Sequence, residues 1–377
     1  MIPFNKPHVT GREFEYIDAA VRAGQLAGNG QFTRRCQAWL EDCLGAPRVL
    51  LTHSCTAALE MAALLLNLEP GDEIVMPSFT FVSTANAFVL RGATPVFVDV
   101  RPDTLNIDER LVEVAITART KAIVAVHYGG IGCNMDVLTD IAQRHGVVLV
   151  EDAAQGLLST YRDRPLGSFG HLATVSFHET KNVMSGEGGA LVINDRQYSE
   201  RAEILWEKGT DRSKFSRGEV DKYTWVDIGS SFLPGELTAA FLWAQLQSAR
   251  EITTERLVLW RAYHHACEDL ERLGVERPVV PSDCTHNAHL FRVLLPRQIP
   301  RAEVLADLNR RGVNAVFHYV PLHSSPAGRR FGRVAGTMEV TDDSSARLIR
   351  LPLWMGMDPA APDRVAETLA SAVAAHA

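Results

Sequence analysis

A mainly parallel α/β sheet covered by helices on both faces is the fold class that three observations predict. First, seven short apolar runs recur: Arg48–Thr52, Glu73–Met76, Thr94–Val100, Lys121–His127, Gly146–Val150, Ala173–His178 and Ala190–Asn194. Second, stretches of helical character separate most of them, and continuously apolar strands that alternate with helices belong to a sheet buried on both faces. Third, a chain of 377 residues, 46% hydrophobic and 22% charged, has room for a large core and for two domains, or for one large α/β unit with an appendage.

The elements follow from local pattern. From Arg12 to Arg22, Phe14, Ile17 and Val21 recur at helical spacing until Gly24, which predicts an amphipathic helix lying with that face on something larger. Phe32–Leu44 repeats the pattern. The first strand runs into His53-Ser54-Cys55-Thr56 and then a strong helix former, Ala57–Leu66, closed by Pro70-Gly71. The free N–H groups and dipole of such a helix start make an anion site, to which the hydroxyls of Ser54 and Thr56 add donors. Capping of the helix by Ser54 is the competing reading. The second strand leads into Pro77-Ser78-Phe79-Thr80-Phe81 and carries an aromatic ring to the sheet edge.

Val148-Leu149-Val150-Glu151-Asp152 places two carboxylates after a buried strand, where desolvation is costly without a partner. A pyridinium nitrogen would be one such partner, and capping of the next helix is the alternative use. Ser176-Phe177-His178-Glu179-Thr180-Lys181-Asn182, followed by Gly186-Glu187-Gly188-Gly189, sets a lysine after a buried strand and beside a glycine cluster. An amine so placed can hold an aldehyde as a Schiff base. The alanine-rich Val365–Ala377 reads as a closing helix.

Composition narrows the function. A formal charge of −7 without a basic stripe argues against nucleic acid or an anionic membrane surface as partner. No apolar run reaches the roughly 18 residues of a membrane helix. The amino terminus, Met1–Pro7, lacks the pattern of a secretory signal, so the cytoplasm is the expected compartment. Six cysteines without a Cys-x-x-Cys pair read as reduced thiols, and no metal site is expected. Glycine-rich dinucleotide and phosphate loops and the Gly-x-Ser-x-Gly elbow are missing, and His178-Glu179 has no second histidine at zinc-protease spacing.

Taken together, Ser54-Cys55-Thr56, Phe81, Asp152 with Gln155, and Ser176 with Lys181 form an ordered set that resembles the DegT/DnrJ/EryC1/StrS family of sugar aminotransferases. The likeness extends from Ile2-Pro3-Phe4 to Phe317-His318-Tyr319-Val320-Pro321-Leu322-His323. It implies a pyridoxal-phosphate enzyme of the aspartate-aminotransferase fold, fold type I. A large seven-stranded domain over residues 1–248 and a small C-terminal α+β domain over 249–377 are expected, with the N-terminal segment packing on the small domain.

By position, the resemblance implies that Lys181 forms the Schiff base, Asp152 pairs with the pyridinium nitrogen, and Gln155 hydrogen-bonds the ring oxygen. Phe81 would stack on the ring, with Ser54, Cys55, Thr56 and Ser176 around the phosphate. Ser231 stands where many relatives place an asparagine that reaches the neighbouring subunit's phosphate, and Pro234-Gly235-Glu236 replaces a more usual Met-Ser-Glu. Tyr319 and His323 are implied near the substrate.

Lys208–Ser213 and Asp221–Ser231 look most like the family branch that converts dTDP-4-keto-6-deoxyglucose to dTDP-4-amino-4,6-dideoxygalactose. The expected reaction takes the amino group from L-glutamate to the C4 ketone of a nucleotide-linked sugar, a 6-deoxyhexose or a pentose. Pyridoxamine phosphate is the intermediate, and the expected assembly is a homodimer with shared sites. Pyridoxamine-dependent sugar dehydratases of the same family usually have histidine at the lysine position, so Lys181 weighs against that alternative. A catalytically silent relative is the other.

Overall fold

The computed structural model describes residues 1–376; Ala377, the last residue of the expected closing helix, lies outside the described residues. Among the described residues thirteen strands occur in chain order. The first five are β1 (Arg48–Thr52), β2 (Glu73–Pro77), β3 (Thr94–Val98), β4 (Thr120–Val126) and β5 (Val148–Asp152). The short β6 (Thr160–Tyr161) and β7 (Arg164–Pro165) precede β8 (Leu172–Ser176) and β9 (Gly189–Ile193). The C-terminal third adds β10 (Cys284–Thr285), β11 (Phe291–Leu294), β12 (Arg333–Val334) and β13 (Leu348–Leu351).

Eight of them form one sheet in the order β1-β9-β8-β5-β4-β2-β3-β12. All neighbours are parallel except β9, which runs antiparallel to both β1 and β8. The seven expected strands are present, and β12, a two-residue strand from the C-terminal region, adds an eighth at the edge. It is too short to carry a periodicity signal. Arg333 anchors it through two hydrogen bonds of 2.9 Å to the buried carboxylate of Glu73.

Side-chain alternation explains why both faces need cover. Leu50, Ile74, Met76, Val124, Val150 and Leu191 point to one face and pack with the helix Cys55–Leu65. Val49, Leu51, Val175 and Val192 point to the other and meet the helix Gln31–Leu44 and the helix Glu236–Gln247. Farther along that second face, Val75, Val96, Ile123 and Leu149 meet the helix Met135–His145. The β11–β13 pair has its own core with the helices Ala249–Ala266 and Ala361–Ala375. The N-terminal segment lies along it: Ile2 exchanges backbone bonds with Gly312 and Asn314, and Trp354 donates to the Pro3 carbonyl at 3.0 Å.

Three local expectations shift. The first helix, Glu13–Arg22, buries Glu13, Tyr16 and Ala20, while Phe14 and Val21 face solvent. The Glu13 carboxylate is held by the amides of Thr10 and Gly11 and by Gln245, so a polar network sets the rotation of the helix. Gly146 ends a helix in the left-handed conformation, φ +62°, and the following strand extends through Glu151 and Asp152. The closing helix starts at Ala361, with Pro362 in its first turn, where a missing N–H costs nothing.

Pro234-Gly235-Glu236 also gains a structural role. The buried Glu236 carboxylate accepts from the amides of Gly30, Phe32 and Thr33 and from the Thr33 hydroxyl, closing the start of Gln31–Leu44. Among the described residues no helix is long and apolar enough to cross a membrane.

Candidate active site

The carboxyl ends of β1, β2, β5 and β8 converge on a cavity of about 330 Å³ that is walled on its far side by the β11–β13 unit. Ligands of open α/β sheets gather at such strand ends. Ser54, Cys55, Thr56, Phe81, Asp152, Gln155, Ser176, Lys181 and Tyr319 all line it, having been brought together from five separate stretches of chain.

Alternation along β5 decides the fate of its two carboxylates. Glu151 points away from the cavity and is fully buried: it accepts from Phe169 N at 2.6 Å, Gly170 N at 2.7 Å, and Gly167 N and His127 Nε2 at 2.8 Å each. Asp152, one residue on, points into the cavity. Thr84 donates to its Oδ2 at 2.7 Å and Ala154 N to its Oδ1 at 3.2 Å, which fixes the carboxylate without a cationic partner among the described residues. Thr84 belongs to the helix Val82–Val89, whose N-cap is Phe81. Phe81 itself is 58% exposed, a ring lying open at the cavity rim rather than in the core.

At the other end the helix Cys55–Leu65 begins. Ser54 caps it, its hydroxyl accepting from Ala57 N at 3.1 Å, and the first intrahelical bond runs from Ala58 N to Ser54 O. The amides of Cys55 and Thr56 are therefore left without an intrahelical partner and face the cavity end of the helix dipole. Thr56 Oγ1 lies 2.8 Å from Ser83 Oγ. Gly189 passes so close that a Cβ there would sit 2.4 Å from Cys55 N.

Lys181 follows a turn closed by its own amide to His178 O at 2.9 Å and by Glu179 N to Gly186 O at 2.8 Å. His178 Nδ1 meets the Thr180 hydroxyl at 2.9 Å, so His178 and Glu179 shape the turn. Among the described residues the Lys181 ammonium makes no ion pair. Burial lowers its pKa below the ordinary lysine value; Cys55 and Asp152 oppose that shift, and the positive charge of Arg350 adds to it.

Gln155 is held by Gly129 N at 2.7 Å and donates to the Tyr319 hydroxyl at 3.1 Å. His318 stacks on Tyr319 with centroids 3.8 Å apart, and burial depresses its pKa to about 2, which keeps it neutral. His323 lies off the cavity, its Nδ1 2.7 Å from the Ser78 hydroxyl and its Nε2 3.4 Å from Asp342. Ser231 is exposed, also off the cavity, and bridges to Glu207.

Sequence reasoning missed Thr84, Arg256, His289 and Arg350, all of which line the cavity. Arg256 is buried and donates to the carbonyls of Ala288 at 3.1 Å and His289 at 2.8 Å. Arg350 carried a signal: a cation inside the otherwise apolar run Leu348–Leu353.

These residues fit pyridoxal phosphate. Unpaired amides at a helix start suit the phosphate, an anchored carboxylate suits a ring nitrogen, and an unpaired amine lies between them beside an open aromatic face. Any side chain at position 189 would crowd the helix start that such a phosphate needs.

The comparisons with known proteins identify the family. The pattern of the DegT/DnrJ/EryC1/StrS aminotransferase family matches residues 7–370. The spore coat polysaccharide biosynthesis protein SpsC of Bacillus subtilis is 30% identical over 98% of this chain and 96% of its own. The aminotransferase TlmJ of Streptoalloteichus hindustanus superposes with a TM-score of 0.91 at 28% identity, covering 100% of this chain and 99% of its own. DesV of S. venezuelae, solved in complex with a ketimine intermediate, gives a TM-score of 0.89 at 29% identity, covering 99% and 98%. The architecture is that of fold type I, and the chain belongs to the DegT/DnrJ/EryC1/StrS aminotransferase family.

Proposed function

We propose that this protein transfers an amino group from L-glutamate to the C4 ketone of a nucleotide-linked 4-keto sugar, releasing 2-oxoglutarate and a 4-amino sugar nucleotide. The observation that carries the reading is the meeting of an unpaired amine, an anchored carboxylate and a free helix start on one cavity wall. The family is one of pyridoxal-phosphate aminotransferases. The bound cofactor supplies an electron sink for charge that develops at the substrate carbon.

The chain's own groups then divide the work. Lys181 would tether the cofactor and, as a neutral amine, would be the base that moves a proton at the donor's α-carbon and, in the second half, at the sugar C4. Its lowered pKa favours the neutral amine that both tasks require. Asp152, oriented by Thr84, holds the proton on the ring nitrogen. Gln155 presents its amide to the ring oxygen, and Phe81 covers one ring face. The amides of Cys55 and Thr56, with the hydroxyls of Thr56 and Ser176, hold the phosphate.

Ser54 supports this end as the cap. Tyr319 stands in the cavity on the substrate side; His323, off the cavity and seated on Ser78, supports the segment that carries Tyr319. Ser231 belongs to the reading through a homodimer with shared sites, supported by the exposure of Trp225, 79%, and Ile228, 45%, in the segment that leads to it. The large domain spans residues 1–248 and the small one 249–377, with β12 returning from the small domain to the large sheet.

The test is an assay of dTDP- and UDP-4-keto sugars with glutamate, reading 2-oxoglutarate and the configuration at C4. Release of 2-oxoglutarate matched by a 4-amino sugar supports the proposal. Conversion of glutamate to 2-oxoglutarate with no 4-amino sugar formed from any of the 4-keto sugars offered contradicts it.

A further inference from the structure

A buried asparagine just ahead of β11 touches both turns that bear on the cofactor ring, and no step of the reaction uses it. Asn287 is 2% exposed, and both its Nδ2 hydrogens and its Oδ1 are engaged. Nδ2 donates to the carbonyls of Gln155 and Leu157 at 2.8 Å each, and Oδ1 accepts from His289 N at 3.0 Å. The Asn287 carbonyl accepts from Asn182 Nδ2 at 2.7 Å, and Asn182 Oδ1 lies 3.3 Å from His289 Nδ1. Asn182, itself buried, is the residue after Lys181.

The backbone on either side is shaped around this side chain. Ala288, fully buried, has φ +53°, a left-handed conformation uncommon for a residue with a Cβ. Arg256 holds it there by donating to its carbonyl at 3.1 Å, while Ala288 N donates to His286 Nδ1 at 3.2 Å. On the receiving side Gly130, φ +79°, leaves the space that Asn287 fills: a Cβ there would collide with Asn287 Oδ1 and lie 2.9 Å from the Gln155 carbonyl oxygen. Strain of this kind persists where the surroundings over-determine it, and it gathers at sites where placement matters. An apolar residue could fill the same space, but it could not bond two carbonyls of the Gln155 turn.

We propose that Asn287 is a positioning residue for the reaction: pegged between the Lys181 turn and the Gln155 turn, it sets their spacing and, through Asn182, the approach of the Lys181 amine to the cofactor.

The inference rests on Lys181 as the cofactor amine and Gln155 as the partner of the ring oxygen. In a pyridoxal Schiff base the imine nitrogen shares its proton with that oxygen, so a change in the spacing of the two turns is read by the pKa of the imine. Wild type, Asn287→Ala and Asn182→Ala, each loaded with pyridoxal phosphate, are titrated with pH while the visible absorbance is followed. Exchange of glutamate with 2-oxoglutarate is measured on the same samples, and urea unfolding reports the fold. Both variants should move the Schiff-base pKa by about 0.5 unit or more. Both should also lower kcat for exchange by about tenfold or more, with KM for glutamate within about threefold of wild type.

Variants that lose stability yet keep the wild-type pKa and kcat overturn the proposal, because Asn287 then serves packing alone. If Asn287→Ala fails to fold, Asn182→Ala, which leaves the bonds to Gln155 and Leu157 in place, decides by the same pKa and kcat criteria. The underlying reading fails separately, if borohydride reduction of wild type fixes the cofactor on a lysine other than Lys181.

Discussion

Glu151 and Asp152 are adjacent carboxylates with opposite expected responses to the same change. In Glu151→Gln, an amide nitrogen replaces one of two oxygens that together accept four hydrogen bonds at 2.6–2.8 Å. Whichever way the amide turns, an N–H donor meets N–H donors. His127 cannot relieve this by changing tautomer, because its Nδ1 accepts from Cys133 N at 3.2 Å, which leaves the proton on Nε2. Two unsatisfied buried donors and a lost charge cost about 3–5 kcal/mol, a large part of the roughly 5–15 kcal/mol that holds a domain together.

Asp152→Asn keeps an oxygen for the Thr84 hydroxyl and gives up only the longer bond from Ala154 N, at the edge of the cavity, so about 1 kcal/mol should be lost. Urea unfolding followed by circular dichroism measures both, and cofactor-dependent exchange of glutamate with 2-oxoglutarate measures function. Glu151→Gln should lower the urea midpoint markedly, and Asp152→Asn should leave it nearly unchanged while abolishing exchange. A stable Glu151→Gln together with an exchange-competent Asp152→Asn would refute the division of roles.

Other outcomes follow from single contacts. Glu73 holds β12 through Arg333, and its pKa is lowered from 4.5 to about 2 by the Arg333 hydrogen bonds in particular. Its contribution, up to about 3 kcal/mol, is therefore complete above pH 4.5 and is lost as pH falls toward 2; Glu73→Gln should flatten that part of the stability profile. Gly189→Ala puts a Cβ 2.4 Å from Cys55 N and should reduce cofactor affinity, measured by equilibrium dialysis, by about tenfold or more.

Much of the large sheet was legible because its strands are apolar on both faces, and the cavity residues at their ends stand out as polar groups after apolar runs. Lys181, Asp152 and Thr56 are of this kind. The rotation of the first helix was not legible: Phe14, Ile17 and Val21 trace a face as convincing as Tyr16 and Ala20, and the choice was made by Glu13 reaching Gln245, far away in sequence. Glu151 and Asp152 became separable only when the strand was seen to include them, since alternation then sends them to opposite sides. Arg256, His289 and Arg350 enter the cavity from the β11–β13 unit, and no local pattern says which residues of one unit will face the other.

The central claim, that Lys181 is the amine that carries the cofactor, has a direct test. Wild type loaded with pyridoxal phosphate is reduced with borohydride, digested and mapped by mass spectrometry. The expected result is one phosphopyridoxyl group, on Lys181, absent from a correctly folded Lys181→Ala. Fixation at another lysine, or unchanged glutamate exchange by Lys181→Ala, would contradict the account.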